Sequence, residues 1–323
     1  MSYSPLSRRD FWKRTLAFGG LISASSLPLT GCHSARFPKR GRFERLSLAY
    51  HQICCGATRP FSILHLSDTH LTSAYRGEPE YTRRMSSLRT ETFGGRQEES
   101  LRDSLDWARS HADYVLHTGD LIDFQSRANF DLVRHYFGDS ATALGCVGNH
   151  EYLPDWWSVK ETHDEAFRAR SRPKVAAAFP FDIDFHAQTI NGVNFIAMDN
   201  IYGTVTPAQA KRFRREVAKK LPIVLAVHCP FWSEAIGRAD KKFWSDRKLT
   251  VWSPTLAPYG DFRRQQSDQT TVDFIRELKQ EPLLKGILAG HLHIQISDRF
   301  SPTAVQYVVG ANFLYHGQEI IFS

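Results

Sequence analysis

Five short segments of the chain carry side chains of the types that bind metal ions. They supply carboxylates, imidazoles and one amide: Asp68, His70, Asp120, Asn149, His228, His291 and His293. Mixed oxygen and nitrogen ligands suit borderline first-row ions such as Mn²⁺, Fe²⁺ or Zn²⁺ better than a soft metal. The sequence contains no Cys-x-x-Cys pair, so a zinc-thiolate site is not supported.

The residue types and their spacing favour a centre of two ions. Two metal ions about 3.5–4 Å apart repel each other, and a shared carboxylate offsets that repulsion. Asp120 is the natural bridge. In Asp68-x-His70 and His291-x-His293, residues two apart on an extended chain point the same way and can reach one crevice. A glycine just before the ligand would allow a sharp turn and close approach of the backbone in three segments: Gly119, Gly148 and Gly290.

Strands must position these segments. Each segment follows a short apolar run, at residues 61–66, 113–117, 142–147, 222–227 and 283–289. Open α/β sheets place their ligand crevice beyond the carboxyl ends of the strands. The spacing of apolar residues predicts a crossover helix within 97–109, and further strands are predicted at 191–198, 303–309 and 319–322. We therefore expect an α/β fold with metals at the C-terminal ends of the strands.

The ordered motifs D-x-H, G-D-x-x-D, G-N-H-E, a lone H and G-H-x-H resemble the signature of the calcineurin-like metallophosphoesterase superfamily, from Asp68 to His293. The resemblance implies a layered sandwich, with central β-sheets flanked by helices, and two divalent metal ions. It implies that the first ion is bound by Asp68, His70, Asp120 and His293. It implies that the second ion is bound by Asp120, Asn149, His228 and His291.

Three further motif residues have expected roles beside the metals. His150 matches the superfamily's histidine that lies above the metals and contacts the phosphate. Asp123 and Glu151 are expected to orient a ligand or a loop amide. Purple acid phosphatases, which resemble this superfamily, have an iron-binding tyrosine at the position of Asp123, so the aspartate argues against that redox-active type.

The expected reaction is hydrolysis of a phosphate ester. Both metals would lower the pKa of a bridging water, and the resulting hydroxide would attack phosphorus in line. His150 would protonate the leaving alkoxide or stabilise the transition state.

The N-terminus has the layout of a targeting segment. Arg8 and Arg9 precede an uncharged stretch at about 15–29, which is too short to span a bilayer. This layout resembles a twin-arginine export signal, and residues 29–32 resemble a lipobox with Cys32 as the lipid-modified residue. An uncleaved amphipathic arm is the alternative interpretation. The predicted parts are a signal (1–32), a tether and lead-in (33–58) and a metallophosphoesterase domain (59–323).

Export would bring the protein to the periplasm or the outer face of the membrane. The expected partners are the twin-arginine machinery, the membrane surface and a phosphate-ester substrate, which includes lipid-linked esters. Residues 1–45 hold nine basic and two acidic residues, which account for the whole net charge of +7. The remaining chain is close to neutral, so we expect no stable nucleic-acid partner.

Two long stretches without an evident helix or strand pattern, 72–95 and 231–267, are predicted to overhang the ligand edge and shape the substrate site. Export and the tryptophans of the second stretch, Trp232, Trp244 and Trp252, favour a lipid or cell-envelope phosphodiester. A periplasmic nucleotidase or nuclease whose tryptophans stack on bases is one alternative. A non-catalytic, metal-stabilised binding protein is another.

Several other reactive residues are assigned structural roles. Cys146 and Cys229 end apolar runs and are predicted to be small buried thiols. Three histidines lie outside the motif positions and are predicted to be structural: His65, His117 and His316.

Overall fold

A computed structural model describes residues 43–138, 143–154, 165–246 and 258–323. In these residues the chain forms eleven strands: β1 (Ser47–Ile53), β2 (Phe61–Leu66), β3 (Tyr114–Thr118), β4 (Ala143–Cys146), β5 (Phe185–Ile190), β6 (Val193–Met198), β7 (Ile223–Ala226), β8 (Leu284–Ala289), β9 (Ile296–Arg299), β10 (Val305–Val308) and β11 (His316–Phe322). The same residues form eight α-helices: α1 (Glu80–Thr92), α2 (Gln97–His111), α3 (Arg127–Phe137), α4 (Glu165–Ala178), α5 (Pro207–Val217), α6 (Glu234–Asp246), α7 (Pro258–Ser267) and α8 (Gln269–Gln280).

The strands form two sheets whose central strands are parallel. The first sheet has the order β1-β11-β2-β3-β4, and the second has the order β5-β6-β7-β8-β10-β9. β2, β3 and β4 run parallel, and so do β6, β7, β8 and β10. The C-terminal ends of these strands therefore lie along one edge of each sheet.

Helices cover the outer faces of both sheets. A core between the sheets joins Ile63 and Leu116 of the first to Phe195 and Leu288 of the second. Leu101 of α2 and Val133 of α3 pack on the other face of the first sheet. Phe213 of α5 and Phe274 of α8 do the same for the second sheet. The layered α/β sandwich is thus confirmed, and burial on both faces explains why the strands are continuous apolar runs.

Local sequence signals account for the starts of two helices. Thr206 and Gln209 form a capping box at the start of α5, where Pro207 occupies the first turn. The Ser126 side chain accepts a hydrogen bond from the Asn129 N–H at the start of α3. These side chains satisfy backbone N–H groups that have no partner within the helix.

The structure corrects two expectations about the chain's organisation. Residues 33–58 were expected to be a tether and lead-in, but β1 lies within them and pairs in parallel with β11. The domain boundary at residue 59 is therefore too late. The stretches 72–95 and 231–267 were expected to lack regular structure, but they contain α1 and α6–α7. The buried face of α1 holds Thr82 and Arg89, so no apolar stripe marks this helix. In α6, Ile236, Ala239 and Phe243 do recur at helical spacing and pack on the core, and this pattern was overlooked.

The predicted signal (1–32), including Cys32, lies outside the described residues. Among the residues that the structure describes, none of the helices has the length and apolar character needed to cross a membrane.

Candidate metal centre

The seven predicted metal ligands lie just beyond five parallel strands, at the edge where the two sheets meet. The first sheet contributes Asp68 and His70 after β2, Asp120 after β3, and Asn149 after β4. The second sheet contributes one histidine after β7 and two after β8: His228, His291 and His293. The two sheets therefore each supply about half of the candidate centre.

Five of these seven residues have a left-handed backbone. The φ angles are 55° at Asp68, 53° at His70, 53° at Asp120, 70° at His291 and 58° at His293. Among the described residues, only three other non-glycine residues have positive φ. Each such residue costs on the order of 1–3 kcal/mol, and strain of this kind concentrates at functional sites. The paired residues in D-x-H and H-x-H therefore converge through repeated left-handed turns, and the extended backbone assumed from their spacing is wrong.

All three predicted glycines let the ligand segments approach one another, and a Cβ at Gly119 would lie 2.5 Å from the Gly148 nitrogen and 2.7 Å from His228 Nδ1. A Cβ at Gly148 would collide with Oδ1 and the backbone nitrogen of Asp120. A Cβ at Gly290 would collide with the Ser67 side chain and lie 2.6 Å from Asp68 Oδ2. The predicted close approach is therefore present, and it is an approach between neighbouring ligand segments.

The first predicted ligand group converges on a small space. His70 Nε2 lies 3.1 Å from His293 Nε2 and 3.7 Å from Asp120 Oδ2. Asp68 Oδ1 lies 3.4 Å from His293 Nε2. Among the described residues, no group donates a hydrogen bond to this buried carboxylate oxygen.

The second predicted group is arranged in the same way. His228 Nε2 lies 3.1 Å from His291 Nδ1, 3.2 Å from Asn149 Oδ1 and 3.3 Å from Asp120 Oδ2. Asp120 Oδ2 is therefore close to one histidine of each group. This position is the one that a bridging carboxylate needs.

The donor atoms fit two metal ions. Two nitrogens that bind one ion at about 2.0–2.1 Å lie roughly 3 Å apart when they occupy neighbouring positions, and both histidine pairs have this spacing. His228 Nδ1 donates to Thr118 O at 2.7 Å, and His70 Nδ1 donates to Asp123 Oδ1 at 3.0 Å. These bonds leave the Nε2 lone pairs facing the centre, as in metal-binding histidines generally.

The charges of the centre favour cations. Burial opposes ionisation of Asp120, but His228 and His150 outweigh it and hold the pKa of Asp120 well below its ordinary value. Burial also opposes protonation of His228, but Asp120 and Asp68 raise its pKa to about 10. Without metals, a proton on His228 therefore supplies part of the positive charge that these carboxylates require.

His150 lies beside the two groups and is held by Asp123. Its Nδ1 lies 2.9 Å from Asp123 Oδ1 and 3.0 Å from Asp123 O, so the other ring nitrogen points away from that residue. Burial lowers the pKa of His150, but Asp120 and Asp123 outweigh it and raise the pKa to about 9. This placement matches a proton donor oriented by a carboxylate.

Glu151 holds the ligand loops together. Its carboxylate accepts hydrogen bonds from the N–H groups of Asp120 at 2.9 Å, Gly148 at 2.6 Å, Leu121 at 2.7 Å and Ile122 at 3.1 Å. The loop after β3 is thereby fixed to the loop after β4. The expected role of orienting a loop amide is the one that this geometry supports.

A family model for calcineurin-like phosphoesterases matches residues 61–295, which is most of the chain. The chain belongs to the calcineurin-like phosphoesterase family. It is therefore a phosphoric ester hydrolase. No curated protein matches the sequence.

Solved structures with similar folds are distant in sequence. A dimetal phosphatase from Danio rerio is 13% identical, with a TM-score of 0.47, and the match covers 80% of this phosphoesterase and 91% of that chain. A 5'-nucleotidase from Candida albicans is 14% identical, with a TM-score of 0.37 and coverage of 83% and 47%. A purple acid phosphatase from yellow lupin is 13% identical, with a TM-score of 0.43 and coverage of 79% and 44%. This phosphoesterase thus spans less than half the length of the last two, and similarities of this size say nothing about its substrate.

The histidines and cysteines that were assigned structural roles do not belong to the two ligand groups. His65 contacts Thr118 and Gln318, each at 2.9 Å, and His117 contacts Thr69 at 2.9 Å. Burial lowers the pKa of both histidines to about 3, so both are neutral. His316 is the first residue of β11. Cys146 and Cys229 are buried free thiols, as predicted.

Three residues of this phosphoesterase support the site but were not singled out from the sequence. Asn200 bonds both backbone groups of Cys229, at 2.6 and 3.0 Å, and so fixes the chain just after His228. Arg89 donates to Asp123, and Phe93 stacks on His70. The spacing of Arg89 and Phe93 is the signal that could have found them, because residues 82, 86, 89 and 93 share one face of a helix.

Proposed function

We propose that this phosphoesterase hydrolyses a phosphodiester of the cell envelope or a phospholipid, using two divalent ions, with Mn²⁺, Fe²⁺ and Zn²⁺ as candidates. The position of Asp120 between the two histidine groups is the observation that carries the two-metal part. When bound, the ions would lower the pKa of water and offset the negative charge of the phosphoryl group. The first ion would be held by Asp68, His70, Asp120 and His293. The second would be held by Asp120, Asn149, His228 and His291.

His150 supplies the proton that the leaving group needs. A raised pKa keeps its imidazole protonated at neutral pH, and cations bound nearby would bring that pKa back toward neutrality. Asp123 holds Nδ1, so Nε2 is the nitrogen that transfers the proton. A proton donor near neutral pKa serves a poor leaving group such as an alkoxide best.

Exposed apolar side chains support a lipid-linked substrate. Among the described residues, five large hydrophobic side chains are exposed, and four of them lie in the two stretches 72–95 and 231–267: Tyr75, Tyr81, Leu88 and Trp232. These side chains are available to contact the apolar part of a lipid-linked ester. The side chains of Trp244 and Trp252 lie outside the described residues. The proposed export by the twin-arginine route and anchoring through Cys32 would place the enzyme beside such substrates.

Metal-dependent hydrolysis is tested with bis-p-nitrophenyl phosphate. We expect turnover with added Mn²⁺, complete loss after treatment with a chelator, and recovery when the ion is returned. A protein that binds two ions but hydrolyses no phosphate ester would overturn the catalytic proposal in favour of a metal-stabilised binding protein.

The substrate class is tested with a panel of phospholipids, lipid-linked envelope esters, nucleotides and single-stranded DNA. We expect the highest kcat/KM on a lipid-linked diester, with little dependence on salt. Preference for nucleic acid with a steep decrease in kcat/KM as salt rises would show a nuclease instead.

A further inference from the structure

The helix α1 turns an arginine toward the interior. Its buried residues are Thr82 and Arg89, and Arg89 is only 6% exposed. A buried charge is costly unless it is paired and hydrogen-bonded. The partner of Arg89 therefore indicates what the inner face of this helix does.

Arg89 pairs with the carboxylate that holds both candidate functional histidines. Its Nε donates to Asp123 Oδ2 at 2.6 Å, and an η nitrogen donates to Asp123 Oδ1 at 2.9 Å. Asp123 is fully buried, and its Oδ1 also accepts from His70 Nδ1 at 3.0 Å and lies 2.9 Å from His150 Nδ1. A two-point pair of this kind fixes the carboxylate in orientation as well as in position.

Phe93, one helical turn after Arg89, contacts His70 on its ring face. Its ring stacks on His70 with centroids 4.5 Å apart and an interplanar angle of 17°. The Arg89 guanidinium lies over the Phe93 ring, 4.7 Å from its centroid. Phe313 closes the cluster, with its ring 4.8 Å from Phe93. His70 is thus held at Nδ1 by Asp123 and on its ring face by Phe93.

We propose that α1 and the residue that ends it, Phe93, form a positioning element: Arg89, through Asp123, and Phe93, by stacking, fix the orientations of His70 and His150. This inference rests on the proposed metal centre. It assigns the inner face of the stretch 72–95 a role in metal binding and proton donation, in addition to the expected role of the stretch in shaping the substrate site. We expect the affinity for the first ion to depend on α1. The second ion's ligand His228 is held instead by Thr118, and the chain just after it is held by Asn200.

The test measures metal binding in the full chain without substrate. Stepwise Mn²⁺ titration by calorimetry, with bound metal counted by mass spectrometry, is applied to Arg89→Met, Arg89→Lys and Phe93→Leu. Removing a residue that holds a metal ligand in place typically weakens metal affinity about 10- to 100-fold. We expect this decrease in affinity in only one of the two binding steps. Arg89→Lys should fall between the wild type and Arg89→Met, because lysine cannot make the two-point pair. Adding Arg89→Met to Asp123→Asn should change little, since both act through one carboxylate.

Arg84→Met is the matched control, because Arg84 lies on the same helix, carries the same charge and is exposed. We expect wild-type metal affinity, kcat and KM from it. Wild-type affinity in both steps for Arg89→Met and Phe93→Leu would overturn the proposal. The proposal would also be overturned if Arg84→Met and Arg89→Met changed only KM, and by the same factor. That result would show that the outer face of α1 contacts the substrate.

Failure to fold does not leave the proposal untested. If Arg89→Met gives no folded protein by circular dichroism, Arg89→Lys and Phe93→Leu decide it by the same titration. If the wild type binds two ions but hydrolyses no phosphate ester, the proposed function fails and the positioning role of α1 can still hold. If the wild type binds fewer than two ions, both fail together.

Discussion

At the scale of single residues, His150 is the side chain whose geometry most directly predicts chemistry. Its Nδ1 is held by Asp123, and it is not among the predicted metal ligands. We expect His150→Ala to lower kcat by about 10²- to 10⁴-fold on an ester with a poor leaving group, as loss of a general acid does. Metal content should stay nearly intact, and the loss should be smaller with p-nitrophenolate as leaving group. Unchanged kcat on the poor leaving group would remove His150 from this role.

Asp120 should govern metal content. Its Oδ2 lies between His70 and His228, so an amide there removes the negative charge that offsets repulsion between two cations. We expect Asp120→Asn to hold fewer than two ions after dialysis, measured by mass spectrometry. Asp131→Asn, a change at an exposed carboxylate, is the control and should keep both. Full occupancy in Asp120→Asn would contradict the bridging assignment.

The pH dependence of metal binding should follow His228. Without metal its pKa is raised to about 10, so its imidazole carries a proton at neutral pH. A metal ion takes the lone pair of Nε2 and must displace that proton, as ligand protons are displaced generally. Metal affinity should therefore increase as pH rises from 7 toward 10, with proton release detected by calorimetry in buffers of different ionisation enthalpy. Metal affinity that does not change between pH 7 and 10 would contradict the protonation of His228 in the metal-free protein.

At the scale of elements, the turns after the parallel strands carry the strain of the site. The turn after β4 passes so close to Asp120 that a methyl group at Gly148 has no space. We expect Gly148→Ala to lower both the midpoint of thermal unfolding and the bound metal. Gly77→Ala is the control, because the nearest atom to its added Cβ would be Arg127 Nη2 at an ordinary 3.7 Å. Equal metal content and stability in the two variants would show that the turn can relax.

Elements that the sequence signalled clearly differ from those that it did not. The predicted crossover helix was confirmed as α2, and the five apolar runs before the ligands are β2, β3, β4, β7 and β8. β1 was missed because its burial alternates irregularly at a sheet edge, where it pairs with β11 from the far end of the chain. α1 was missed because its buried face holds a threonine and an arginine, so no apolar stripe marks it.

At the scale of the whole molecule, we expect the N-terminus to determine membrane association and the domain to determine hydrolysis. We expect Cys32→Ser to shift the enzyme from the membrane fraction to the soluble periplasmic fraction, with unchanged hydrolysis of bis-p-nitrophenyl phosphate per molecule. Cys54→Ser, a change at an exposed free thiol in the domain, should leave the distribution unaltered. Equal membrane association of wild type and Cys32→Ser would contradict lipid anchoring.

The sequence by itself determined the family, the layered fold and the set of candidate ligands, because five ordered motifs each follow an apolar run and parallel strands bring their ends to one edge. Only the tertiary structure decided how the ligands converge and what holds them. Left-handed turns at Asp68 and His291 depend on contacts between the two sheets, which local spacing does not encode. The pairing of Arg89 with Asp123 joins residues 34 positions apart. Arg89 is one of several arginines in its stretch, and only folding selects which of them is buried.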